Sequence, residues 1–103
     1  MRHFVATLYF SASARHAYLA AQSGAAPMPP SFAALRERHV AYLNELMKGS
    51  SLICAGPTPD YRAGVLVLAA ESESAAHRLL AADPYMVEHV FERYELLEFK
   101  RCV

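Results

Sequence analysis

Between Ser31 and Gly49 the apolar residues recur with the period of an α-helix. Winding the segment at about 100° per residue puts Glu37, Arg38, Asn44, Glu45 and Lys48 on one side. Phe32, Leu35, Val40, Tyr42, Leu43, Leu46 and Met47 fall on the other. An arc that wide has to be buried against another layer. Ser31 suits an N-cap, Gly49 a C-terminal stop, and Lys48 the negative end of the helix dipole. Two polar residues break the pattern. Arg36 and His39 lie inside the apolar arc, one turn apart, with His39 near its centre.

The layer that takes this helix is legible from alternation. Phe4, Ala6, Leu8 and Phe10 point one way, while His3, Val5, Thr7 and Tyr9 point the other. This is a strand with one apolar face for helices and one amphipathic face that can meet a second sheet. Ser51 to Gly56 reads as a second strand, closed by Pro57, and Val65 to Ala70 as a third. The short Pro- and Asp-containing turn between them predicts an antiparallel hairpin. Ser72 caps a second helix whose inward residues are Ala75, Ala76, Leu79 and Leu80. Asp83 hangs at the end of that inward face, and Pro84 turns it out of helical geometry. A short helical turn is expected over Tyr85 to His89, then a last strand over Tyr94 to Val103.

The order is strand, helix, strand, strand, helix, strand. It predicts an α+β fold of the ferredoxin-like βαββαβ type, with a four-stranded antiparallel sheet and two helices on one face. The 103 residues make one domain. Residues 11–30 stand apart as an Ala-, Ser- and Pro-rich excursion after the first strand. Ala14 to Gln22 suits a short helix ended by Gly24, and Pro27 to Pro30 a stiff connector. The segment is either a surface excursion or a lid beside a pocket.

Hydrophobic residues make up 54% of the chain, more than a small free-standing domain needs, so part of the surface is expected to be covered by a partner. Ten basic and ten acidic side chains balance, with no basic stripe, which argues against nucleic acid. No stretch reaches the roughly 20 apolar residues of a membrane span. The start, Met1 to Phe4, runs into alternation rather than a signal-peptide core, so the expected location is cytoplasmic. Cys54 and Cys102 are read as reduced, buried strand thiols, and neither they nor the five histidines have metal-ligand spacing.

Several short motifs, in order, then resemble a known family. Arg36-Glu37-Arg38-His39 with Tyr42-Leu43 and Gly49 is similar to the first-helix signature of YCII-related (YciI-like) proteins. Ala55-Gly56-Pro57 resembles that family's strand end, Asp83-Pro84-Tyr85 its Asp-Pro-aromatic motif, and Glu98-Phe99-Lys100 its final strand. The resemblance implies a dimeric α+β barrel, in which the sheets of two copies pack face to face. It also implies a pocket holding a His and an Asp, here His39 and Asp83, with Arg36 nearby. Residues 11–30 depart from the shorter link expected in the family.

The chemistry open to these residues is specific. An imidazole, with an ordinary pKa of about 6.5, exchanges protons near neutrality. A carboxylate beside it fixes its tautomer and stabilises its charged form. Arg36 suits an anion holder, and Tyr42 and Tyr85 are candidate substrate-binding walls. Each has a plainer reading. His39 and Asp83 can satisfy one another structurally, Asp83 can cap its turn, Arg36 can snorkel, and the tyrosines can be core. No nucleophile accompanies the set, so proton transfer fits better than acyl transfer. The leading expectation is a homodimeric, cofactor-independent isomerase or lyase acting on a small cyclic or aromatic acid, phenol or lactone. The alternative is a non-catalytic small-ligand-binding or accessory module with the same pocket.

Overall fold

A computed structural model describes all of residues 1–103. The elements in chain order are β1 (Arg2–Phe10), α1 (Ala12–Ser23), α2 (Pro30–Lys48), β2 (Leu52–Pro57), β3 (Ala63–Ala70), α3 (Glu73–Ala81), α4 (Pro84–Val87) and β4 (Phe91–Phe99). The four strands form one antiparallel sheet in the order β2-β3-β1-β4. This is the ferredoxin-like α+β arrangement, with α1 and the single turn α4 added to its two long helices.

The alternation in β1 is realised. Phe4, Ala6 and Leu8 are wholly buried, Phe10 nearly so, and the intervening residues are only half-buried. One core gathers these side chains with Leu66 and Leu68 of β3, Ala14 of α1, Ala76 and Leu80 of α3, and Tyr85 of α4. Helix α2 packs Phe32, Leu35, Leu43 and Leu46 against it. All helices therefore lie on one face of the sheet. Each large side chain fully buried there contributes about 1.5–3 kcal/mol. The other face is open. Val5 is in register with Val67 on one side and Leu97 on the other, and Leu97 is 66% exposed. No helix is long and apolar enough to cross a membrane.

Several boundaries differ from the sequence expectation, each for a physical reason. The last strand begins at Phe91 and ends at Phe99, because its length is set by pairing with β1 from Phe10 to His3. Helix α2 starts at Pro30 with Pro29 as its cap residue and no side-chain cap, so Ser31 lies inside the first turn. Proline tolerates that position because its missing N–H has no partner there. Cys54 and Cys102 are exposed, not buried. Cys54 sits on edge strand β2 where the pairing register slips, and Cys102 lies past the end of β4. Residues 11–30 carry the expected helix, lengthened to Ala12–Ser23: Ser11 caps α1 by accepting from the Ala14 N–H, Ala14 is buried, and Gly24 ends the helix in the left-handed conformation at φ 77°.

Helix α2 stops at Gly49 as expected, but the left-handed residue is the one after it. Gly49 has an ordinary φ of −82°, and Ser50 adopts the left-handed value of 63°. The Ser51 N–H reaches back to the Leu46 carbonyl at 2.9 Å, closing the helix end. A serine there bears a conformational cost that glycine does not. Ser50→Gly is expected to raise stability by about 0.5 kcal/mol, after the glycine's larger unfolded-state entropy is deducted. The readout is a higher urea midpoint at unchanged slope. A lower midpoint would show that the serine is not strained.

Candidate functional site

His39 stands on the inward side of α2, as its helical phase requires, and faces the end of α3 across the core. There α3 stops at Ala81, and Asp83 leaves helical geometry (φ −62°, ψ 128°) because Pro84 follows it. That extended residue becomes the cap of α4. Its Oδ1 accepts from the Tyr85 N–H at 2.9 Å and from His39 Nδ1 at 2.7 Å. A carboxylate only accepts, so Nδ1 donates, and, in the neutral tautomer this selects, the lone pair falls on Nε2. Asp83 is fully buried, the His39 side chain is 12% exposed, and Asp83 Oδ2 has no partner at all. Burial of a carboxylate is costly unless it is compensated. Here one oxygen receives both compensating hydrogen bonds.

The imidazole is clamped by aromatic rings. Tyr85 stacks flat on it, with centroids 3.9 Å apart and planes 2° from parallel, and Phe91 meets it edge-on at 5.9 Å. Phe91 fits because β3 carries Gly64 beneath it. A Cβ there would lie 3.1 Å from the Phe91 ring tip. His39, Tyr85, Phe91 and Gly64 are part of the wall of a cavity of about 210 Å³. Its remaining wall includes Phe10, Tyr18 and Tyr61, the β2 end Ala55-Gly56-Pro57, and Arg36 and Val40 from α2. Arg36 is exposed and makes no hydrogen bond or ion pair within the chain, leaving a cation on an otherwise mostly apolar cavity.

The structure thus gathers His39, Asp83, Arg36 and Tyr85 in one place. Asp83 stands behind His39 rather than on the cavity surface. Tyr42 is not part of the wall. Its hydroxyl donates to the Leu79 carbonyl at 2.6 Å, tying α2 to α3. Its phase on the apolar arc suggested the pocket, but its length carries the hydroxyl across to the neighbouring helix. Tyr18, Tyr61, Phe10 and Phe91 were not singled out as site residues from the sequence. Their only signal was aromatic character, and each reaches the cavity through contacts far along the chain. No three His, Cys, Asp or Glu side chains gather as metal ligands.

The chain belongs to the YCII-related domain family, whose sequence profile matches residues 14–100. No curated protein sequence matches it significantly. Among solved structures it is similar to 5-chloro-2-hydroxyhydroquinone dehydrochlorinase (TftG) from Burkholderia phenoliruptrix AC1100 in complex with 2,5-dihydroxybenzoquinone. That likeness has 18% identity, covers 95% of this chain and 93% of the other, and has a TM-score of 0.64. A protein of Agrobacterium tumefaciens aligns at 16% identity over 97% and 92% of the two chains, with a TM-score of 0.50. A protein of the antibiotic biosynthesis monooxygenase type from Bacteroides thetaiotaomicron aligns at 9% identity over 99% and 90%, with a TM-score of 0.52. At these identities the likeness establishes the fold.

Burial raises the Tyr85 phenol well above the ordinary tyrosine range, the hydrogen bond with Tyr18 adds to it, and the Arg36 charge opposes it. Burial raises Tyr42 as well, with the nearby Asp83 charge contributing. Both neutral phenols are thus favoured by folding. Their contribution is complete below the unfolded tyrosine value of about 10, and is lost as pH climbs from there towards the folded-state values. In an alkaline titration followed by phenolate absorbance, Tyr42 and Tyr85 are expected to ionise only as the protein unfolds. Smooth titration of every tyrosine near pH 10 in a folded protein would contradict the burial argument.

Proposed function

We propose that the protein is a cofactor-independent enzyme of the isomerase or lyase kind, acting on a small cyclic or aromatic acid, phenol or lactone. The observation that carries this reading is the 2.7 Å contact between His39 Nδ1 and Asp83 Oδ1. It leaves the Nε2 lone pair as a base on a cavity with few other polar groups. Nε2 takes a proton from a ring hydroxyl or an acidic C–H. The released electron pair closes a carbonyl or alkene, and either a proton returns at another carbon or a leaving group departs with its bonding electrons. Asp83 stabilises the resulting imidazolium, and Arg36 the negative charge that develops on ligand oxygen.

Size and wall chemistry support the substrate class. An apolar cavity of about 150 Å³ accommodates benzene. The 210 Å³ here therefore suits one ring with small substituents. The dehydrochlorinase likeness, solved with a dihydroxybenzoquinone, points to the same class. A non-catalytic ligand-binding module is the second reading, and one observation favours it. Asp83 Oδ1 also caps α4 through the Tyr85 N–H, a purely structural task.

His39→Ala and Asp83→Asn separate the two. Turnover of halogenated hydroquinones, phenolic acids and lactones, followed by absorbance and halide release, is expected to fall by about 10²–10⁴-fold in either variant. Full activity in a folded variant would remove the pair from the chemistry. Binding of these compounds with no turnover by the wild type would leave the module.

The same proposal includes a homodimer formed through the open face of the sheet. Val67, Val5 and Leu97 make an apolar row across three strands, and a net charge of zero lets two copies approach. Light scattering is expected to give about twice the 11.4 kDa chain mass, and Leu97→Asp to give the monomer. A monomeric wild type at micromolar concentration would overturn this.

A further inference from the structure

The wall supplied by residues 11–30 holds a hydroxyl more firmly than a surface helix requires. Tyr18 of α1 stacks on Tyr61 with centroids 4.7 Å apart and planes 7° from parallel. Phe10 and Phe32 each meet it edge-on at 5.3 Å. One turn earlier, Arg15 donates to the Asp60 carbonyl at 3.0 Å, fastening α1 to the turn that carries Tyr61. That turn is itself held open at a cost. Tyr61 has a φ of 54°, a left-handed value that a bulky residue adopts only when its surroundings enforce it. Asp60 Oδ1 enforces it by accepting from the Thr58 hydroxyl at 2.8 Å and the Arg62 N–H at 3.1 Å.

All of this fixes the Tyr18 hydroxyl against the hydroxyl of Tyr85, the ring stacked on His39. Each hydroxyl has the other as its sole partner within the chain. Two phenols carry two protons, and the bond between them uses one. The second O–H is left to donate, and both residues belong to the cavity wall. Arg36, also on that wall and without an ion pair, carries a charge felt at the Tyr85 hydroxyl.

We propose that the Tyr18–Tyr85 hydroxyl pair, with Arg36, forms a second oxygen-binding subsite that makes the cavity selective for rings bearing two oxygens. One oxygen lies within reach of His39, and the other accepts the spare O–H. Tyr18 is then a specificity-determining residue delivered by the segment after β1. The inference rests on the reading of His39 as the group that meets the first oxygen, but its signature is a difference between ligands rather than a rate.

The test is calorimetric titration of phenol and of hydroquinone, kept reduced under nitrogen, into wild type, Tyr18→Phe, Tyr85→Phe, the double variant of both and His39→Ala. Wild type is expected to bind hydroquinone about tenfold more tightly than phenol, the worth of one good hydrogen bond. The double variant Tyr18→Phe/Tyr85→Phe, which keeps both rings but has no O–H to donate, is expected to erase that preference, whereas each single variant keeps one free O–H and retains it. Equal binding of the two ligands by wild type, binding of neither, or a preference that survives in the double variant would overturn the subsite. His39→Ala distinguishes the two ideas. A retained preference for hydroquinone together with retained turnover would sink the His39 mechanism and leave the subsite standing.

Discussion

A carboxylate with no exposure to water organises this domain. Asp83 closes the gap between α3 and α4 by capping the latter, and with the same oxygen it holds an imidazole on α2. Because the group is buried, losing either hydrogen bond leaves charge poorly compensated in a low-dielectric interior, a change worth several kcal/mol. The Asp-Pro step, the phase of α2 and the flat stacking of Tyr85 on His39 are therefore one constraint seen from three sides.

Around that pair the fold divides its labour. The sheet supplies a flat floor through Phe10, Gly64, Leu66 and Phe91, and α2 supplies polar chemistry through Arg36 and His39. The segment after β1 and the β2–β3 turn supply the opposite boundary, through Tyr18 and Tyr61. Rings meet at edges and faces throughout, an arrangement that exploits their quadrupoles and fixes orientation as well as burying area. The wall built from Tyr18 and Tyr61 is fastened by interactions that do not involve His39 or Asp83. Of the groups proposed for selectivity, Tyr18 is thus set by a different part of the chain, while Arg36 shares α2 with His39 and Tyr85 shares the Asp83 cap.

Much of this was legible beforehand, and the exceptions are instructive. Strand alternation and helical phase located the sheet, α2, α3 and the inward placement of His39, because burial of one face dictates those periods. Asp83 was visible through its spacing from Leu79 and Leu80 and through Pro84. Phase left Tyr42 open between pocket wall and core, since it reports the direction of the Cβ and not where a long side chain ends. Cys54 was expected inside because an ideal strand would bury it, and a register slip beside Leu52 is invisible in composition. Phe91 was missed as a strand residue because pairing with Phe10, a tertiary fact, extends β4 backward. Tyr18 and Tyr61 reach the site through each other, Phe10, Phe32 and Tyr85, contacts no local pattern encodes.

The contact between Gly64 and Phe91 carries an implication for how such a cavity can diverge. With 3.1 Å between a notional Cβ and the ring tip, position 64 cannot gain a side chain unless Phe91 yields. Phe91 in turn leans on His39, Tyr85 and Phe10, so its displacement would disturb the imidazole before it reshaped the floor. Descendants of this sequence exploring new ligands would therefore find the floor closed to single steps and the rim on α1 and the β2–β3 turn open to them. In mutational terms the pocket has a conservative end and an inventive one, and Gly64 sets the dividing line.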